Sequence, residues 1–68
     1  MKQEEIVRTL KANVGKALDI IFDGNRTTVT VRSVDRDGVL CRLLGAKPQQ
    51  PSEFWVAFEY IEEIKVTP

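Results

Sequence analysis

The sequence is poor in the residue types on which most enzyme chemistry depends. It has no histidine, a single cysteine, Cys41, and only 7% aromatic residues. Without histidine, neither a nucleophile–base pair nor a zinc site can be assembled from its usual components. One cysteine excludes an internal disulfide, and its position in an alternating apolar run predicts a small buried side chain. We therefore expect no enzymatic activity, no cofactor and no metal.

Long apolar runs and an excess of charge of one sign are also missing. No apolar run approaches the roughly 18 residues of a membrane span, and residues 1–15 are too charged for a signal peptide. Ten basic residues balance ten acidic ones, so no overall field attracts nucleic acid or an anionic membrane. These absences lead us to expect a soluble, cytoplasmic protein without membrane contacts.

The residues that are present favour one small globular domain over residues 1–68. Apolar residues make up 43% of the chain and charged residues 29%, which is enough apolar material for one compact core. With 68 residues, however, the chain lies near the lower size limit for a domain that folds alone. A partner or self-association would add to its stability.

Residues 2–13 have the spacing of a short amphipathic helix. Ile6 and Leu10 fall on one stripe, which Val14 extends. Gly15 then supplies a helix stop. Because a helix of three turns is unstable alone in water, the stripe is predicted to pack on the rest of the chain.

A meander of three strands is predicted over residues 17–22, 26–35 and 39–44. Asp23-Gly24 favours a tight hairpin with positive φ between the first two. In the second strand, Val34 falls out of phase with Val31, which predicts a bulge or bend near Arg32-Ser33. Asp35 to Gly38 is predicted to form the next turn.

The C-terminal part changes its apolar period. A loop is predicted over 45–53, and alternation resumes over 54–58. The step of three between Ile61 and Ile64 fits one turn of 3₁₀ helix, followed by a fifth strand over 63–67. The strand residues expected to face the core are Leu18, Ile20, Phe22, Val29, Val31, Val39, Cys41, Leu43, Phe54, Val56, Phe58, Ile61, Ile64 and Val66. The fold class predicted is mainly β: a small, partly open five-stranded SH3-like barrel with an N-terminal α-helix.

Three stretches carry a resemblance to the Sm-like (LSm) family of small barrels. They are "FDGNR" at the first hairpin, "VTVRSVD" in the bent second strand, which ends in an acid at Asp35, and "VAFEYIEEI" from strand four into strand five. The resemblance covers nearly the whole chain. It implies a five-stranded barrel behind a helix, and assembly in which strand four of one copy joins strand five of the next in a ring.

The positions that bind RNA in this family are different here. Family members carry an asparagine shortly after the second-strand acid, where this chain has the run Arg36 to Val39. The Arg-Gly or Lys-His pair of the family aligns with Ala57 and Phe58. The resemblance therefore implies the fold and the assembly, but not the RNA pocket.

Two sets of residues are candidates for binding. Outward apolar residues, more numerous than a lone barrel explains, form the candidate oligomer interface: Ile21, Leu40, Leu44 and Trp55. The alternative is that the helix covers them. Arginines near the tryptophan form the candidate nucleic-acid surface: Arg26, Arg32, Arg36 and Arg42. The alternative for these charges is that they are merely solvated.

We expect a non-enzymatic, self-associating interaction module that acts as a ring scaffold for a protein partner. The alternative is a diverged RNA-binding protein on the same scaffold, with the arginines as its contact surface.

Overall fold

A computed structural model describes residues 2–45 and 52–66. These residues form α1 (Gln3–Ala12), β1 (Ala17–Phe22), β2 (Asn25–Val34), β3 (Gly38–Leu43), β4 (Glu53–Ala57), a 3₁₀ turn (Phe58–Tyr60) and β5 (Ile61–Lys65). All strand pairs are antiparallel in one sheet of order β4-β3-β2-β1-β5. The mainly β fold with an N-terminal helix is confirmed. Within the described residues β4 and β5 are the two edges, so strand pairing leaves the sheet open.

The helix lies against β2, β5 and the 3₁₀ turn. Its apolar stripe is buried, with Ile6 1% and Leu10 0% exposed. The expectation that Val14 extends this stripe is wrong, because its side chain is 49% exposed. The helix has ended before Val14, and the chain turns at Gly15, whose φ is +86°.

A G1 bulge connects the end of the helix to the sheet. The Gly15 amide donates to the carbonyl of Val31 at 2.7 Å, and the Val31 amide donates to the carbonyl of Lys16 at 3.1 Å. Gly15 and Lys16 thus lie opposite Val31, and the first residue of the bulge is a glycine at positive φ. This arrangement starts β1 directly from the helix terminus.

The first hairpin and the bend of β2 agree with the sequence. Asp23 and Gly24 have φ of 51° and 74°, the two positive values of a type I′ turn. In β2 the register with β3 shifts between Val31 and Ser33, which makes Arg32 the extra residue of a bulge. The shift turns Val34 back toward the core, against which it packs.

The C-terminal change of period has two causes rather than one. The 3₁₀ turn occupies Phe58–Tyr60, so its predicted position between Ile61 and Ile64 is wrong. That later step lies inside β5, where Ile21 pairs with Glu63 and Phe22 with Ile61. One residue of β5 is therefore extra, and a bulge produces the second step of three.

Two predicted ranges extend beyond the described residues. The strand predicted for 63–67 begins earlier, at Ile61, and ends at Lys65; residue 67 lies outside the described residues. Most of the loop predicted for 45–53 falls on residues 46–51, which also lie outside them.

The core lies between α1 and the concave side of the sheet. Its buried members are Ile6, Leu10, Leu18, Ile20, Val29, Val31, Val39, Cys41, Val56, Phe58, Ile61 and Ile64. Cys41 is fully buried, as predicted, and burial raises the pKa of its thiol to about 11. Leu43 and Val66 were expected inside but are 37% and 49% exposed. Both lie at or beyond the end of a strand. They keep the alternation of the core residues, but the core does not cover their side chains.

Candidate functional site

The candidate interface residues do not form one patch. Leu40 and Trp55 are cross-strand neighbours on the outer face of β3 and β4, with Leu40 half-buried and Trp55 50% exposed. Ile21 is half-buried on β1, with two strands, β2 and β3, between it and the strand of Trp55. Leu44 follows the end of β3 and is 58% exposed. The structure therefore brings together only the first two, and the role of all four stays a prediction.

Trp55 is fixed in place by the turn between β2 and β3. Its Nε1–H donates to Oδ2 of Asp35 at 2.8 Å. Its ring covers Gly38 so closely that a β-carbon there would lie 2.5 Å from Cε2 of the indole and 2.5 Å from the carbonyl oxygen of Val56. Any larger residue at Gly38 would displace the indole. The sequence gives both partners as turn residues but does not show that they hold the tryptophan.

The Asp35 carboxylate accepts hydrogen bonds from three groups of the protein. The hydrogen bond from Trp55 is the main reason why the pKa of Asp35 lies below its usual value, and partial desolvation opposes it. Backbone amides of Gly38 and Asp37 also donate to Oδ1, at 2.8 and 3.0 Å. These contacts keep Asp35 ionised as a structural acceptor that closes the turn.

Arg26 of the candidate nucleic-acid surface is paired within the chain. Its Nε and a terminal nitrogen lie 2.7 and 2.6 Å from Oδ2 of Asp19, and the Thr28 hydroxyl donates to Oδ1 at 2.6 Å. Asp19 is 6% exposed. The hydrogen bond from Thr28, followed by that from Arg26, holds the pKa of Asp19 below its usual value against the effect of burial. The positive charge of Arg26 is thus largely neutralised.

The other three arginines are divided between two places. Arg32 and Arg42 line one surface pocket of about 280 Å³ beside Leu44, and Nε of Arg32 lies 3.5 Å from a carboxylate oxygen of Glu53. Arg36 lies in the turn between β2 and β3. Of the four arginines, only Arg32 and Arg42 therefore line the same one of the described pockets.

The hydrogen-bond pattern shows which groups of β4 face its open edge. The backbone amide of Leu43 donates to the carbonyl of Ser52 at 2.7 Å, and the backbone amide of Phe58 donates to the carbonyl of Asp37 at 3.0 Å. Paired and unpaired positions alternate along an antiparallel ladder, so Phe54 and Val56 bond to β3. The N–H and C=O groups of the remaining β4 residues point to the open edge: Glu53, Trp55 and Ala57.

The same reasoning applies to β5. The amide of Val31 bonds to Lys16, which places Leu18 and Ile20 in the paired positions toward β2. Asp19 and Ile21 then bond to β5 through their partners Lys65 and Glu63. The backbone of Ile64, between these two partners, points to the second open edge.

A second surface pocket, of about 500 Å³, lies where β4, the 3₁₀ turn and the β2–β3 turn meet. Its lining includes two exposed aromatic rings, of Trp55 and Tyr60, and two carboxylates, of Asp37 and Glu59. Tyr60 is 61% exposed. We call this set the aromatic pocket. Sequence periodicity did not predict it, because it depends on the position of the 3₁₀ turn.

No family model, curated protein or solved structure matches the chain. Among the described residues, no group of three or more acidic or cysteine side chains is arranged to hold a metal ion. In the same part of the chain, no helix has the length and apolar character to cross a membrane.

Proposed function

We propose that the protein is a non-enzymatic interaction module whose copies join through the open edges of β4 and β5. The observation that carries this proposal is the open sheet. Each edge strand has five residues and pairs on one side only. Unpaired N–H and C=O groups on such an edge are a template for a strand from another molecule.

The β4 edge lacks the usual protection against pairing. Proteins block edge strands with proline, bulges or several charges, whereas β4 has no proline and an exposed Trp55 at its centre. The β5 edge has a bulge and three charged side chains. Because the two edges are different, joining of β4 to β5 is a head-to-tail contact, which generates a ring when the rotation closes.

The fold supports a relationship with Sm-like barrels. An N-terminal helix, a bent β2 followed by Asp35, and a 3₁₀ turn ahead of β5 occur in the order that the resemblance implies. In this proposal the bent sheet is an SH3-like barrel left open between β4 and β5, and assembled copies present a surface to a protein partner.

Mass measurement in solution at micromolar concentration tests the assembly. We expect a discrete species larger than the 7.7 kDa monomer. Ala57→Pro should convert it to monomer, because the Ala57 amide faces the open edge and its φ of −68° already suits proline. Ala57→Ser keeps the amide and should assemble normally. A wild-type chain that is monomeric throughout would end the assembly proposal.

Salt dependence identifies the surfaces that join. Edge joining brings β4, whose charged residue is Glu53, against β5, whose charged residues Glu62, Glu63 and Lys65 give it a net charge of −1. The two strands carry charge of the same sign, so added salt should not weaken this contact. Attraction between residues 26–42, which carry a net charge of +2, and residues 53–68, which carry a net charge of −3, would weaken with salt instead. Weaker assembly at high salt would therefore exclude edge joining as the main contact.

RNA binding is the second candidate, favoured by the pocket that Arg32 and Arg42 share. Titration with short uridine-rich or adenosine-rich RNA should show binding that weakens with salt. Arg42→Gln should reduce it, while Arg26→Gln, whose arginine is paired with Asp19, should change it less. Absence of binding at low salt would end this candidate.

A further inference from the structure

We propose that the aromatic pocket binds a lysine or arginine side chain of the protein partner. This inference specifies which side chain of the partner is bound. It rests on the proposed function in one respect, that the molecule in the pocket is a protein. Its basis is the combination of two exposed aromatic rings and two carboxylates in one pocket.

The Trp55 ring is held ready for such a contact. One side of the ring lies over Gly38, its Nε1–H is bonded to Asp35 at 2.8 Å, and half of its surface is still exposed. A ring that is already fixed loses little conformational freedom on binding. Tryptophan is also the aromatic side chain that attracts cations most strongly, and Tyr60 adds a second ring.

The charges around the pocket select for a cation. Asp37 and Glu59 contribute carboxylates, and the described residues that line the pocket include no lysine or arginine. A lysine or arginine side chain can cover aromatic surface with its methylene groups while its charged end meets a carboxylate. Phosphate groups would meet like charge here, so nucleic acid is disfavoured at this pocket.

The position of the pocket is compatible with joined edges. Trp55 and Ala57 belong to the outer-face positions of β4, whereas strand addition takes place in the plane of the sheet. A partner segment can therefore reach the pocket from the outer face while a neighbouring copy occupies the edge.

Fluorescence titration of the wild-type protein tests the inference directly. Trp55 is the sole tryptophan, so all tryptophan emission comes from a residue that lines the pocket. The probes are a heptapeptide with lysine and threonine at alternate positions and matched peptides with norleucine or glutamate in place of lysine. Norleucine keeps the apolar stem and removes the charge. We expect the lysine peptide to bind about 2- to 30-fold more tightly than the norleucine peptide.

Three variants locate the contact. Tyr60→Leu should weaken binding of the lysine peptide by about 2- to 30-fold, because one ring is lost. Glu59→Gln should weaken it by roughly 1.5- to 5-fold, since the carboxylate is exposed. Glu63→Gln removes the same charge on β5, away from the pocket, and should leave binding unchanged. Tyr60 and Glu59 are exposed, so both variants are expected to fold.

Equal binding of the lysine and norleucine peptides would overturn the inference, as would no binding at about 1 mM peptide. A fall in assembled mass on adding the lysine peptide would also overturn it, because the natural occupant would then be a second copy. Mass is measured on the same samples. If a monomer binds the lysine peptide, only the assembly proposal is overturned. If the protein assembles but does not bind the lysine peptide, only the inference about this pocket is overturned.

Discussion

Asp19 is an acidic residue in an otherwise apolar run of β1, and its environment gives it a structural role. Its carboxylate accepts from Thr28 and Arg26 while only 6% of the residue is exposed. A buried charge is tolerated only when it is paired and hydrogen-bonded. The contact therefore stabilises the hairpin of β1 and β2 across its outer face.

The stability of the domain should depend on the charge of Asp19. Because folding lowers the pKa of Asp19 from its ordinary value of 3.8, its contribution is complete above that value and is lost as pH falls through the lower native value. Urea unfolding at pH 6, 4 and 3 should show falling stability in the wild type and a shallower fall in Asp19→Asn. Some fall should remain, since Asp35 shifts in the same direction.

Glu63→Gln is the matched control for this series. Between pH 6 and pH 3, the fall in stability should be smaller in Asp19→Asn than in Glu63→Gln. An Asp19→Asn profile as steep as the wild-type profile would contradict the proposed role of this pair.

The pairing of Asp19 can be predicted from the sequence through the register of the first hairpin. Once Asp23-Gly24 is taken as a two-residue hairpin, the register places Thr28 directly opposite Asp19. Arg26 is then two residues away on the same face of β2. The prediction that Arg26 contacts nucleic acid does not take this register into account.

At the scale of elements, bulges explain both where prediction succeeded and where it failed. The change of phase between Val31 and Val34 has one simple cause. The bulge or bend predicted near Arg32-Ser33 is confirmed as a bulge at Arg32. At the C-terminus, a 3₁₀ turn and a bulge each produce a step of three. The steps from Phe58 to Ile61 and from Ile61 to Ile64 are therefore identical in sequence, and only strand pairing separates them.

The aromatic pocket depends on the close approach of β4 to the β2–β3 turn, which Gly38 permits. Gly38→Ala should destabilise the domain by about 1 to 3 kcal/mol, since the new methyl group meets both the indole and the backbone of Val56. Urea unfolding measures the loss. The emission of Trp55 should change as well, because the ring must leave Asp35.

Gly24→Ala separates this clash from backbone strain. Gly24 has a φ of +74° but nothing within 4 Å of the added methyl group, so a cost of about 1 to 2 kcal/mol is expected from conformation alone. Its Trp55 emission should match the wild type. Normal emission in folded Gly38→Ala would show that the indole is not held as described.

For the whole molecule, stability depends on a small core shared by the helix and the sheet. A chain of this size has a free energy of unfolding of roughly 3 to 10 kcal/mol. Ile64 is 5% exposed and packs in the core, so Ile64→Ala should cost about 2 to 5 kcal/mol. Thermal and urea unfolding should show a lower melting temperature and a lower urea midpoint than the wild type.

Ile21→Ala is the comparison for this change. Ile21 is a half-buried residue on the outer face, so its loss should reduce stability less than Ile64→Ala. The reverse ranking in unfolding experiments would show that the two faces of the sheet had been interchanged.

The pairing of β1 with β5 is the one contact in the sheet that joins strands from distant parts of the chain. Every other pairing joins consecutive strands, so β5 is the strand whose docking requires the largest loop closure during folding. A C-terminal strand supplied by a neighbouring molecule offers β1 the same register and the same isoleucines. Reciprocal exchange of this strand would therefore give intertwined dimers that preserve the β1–β5 pairing of the monomer.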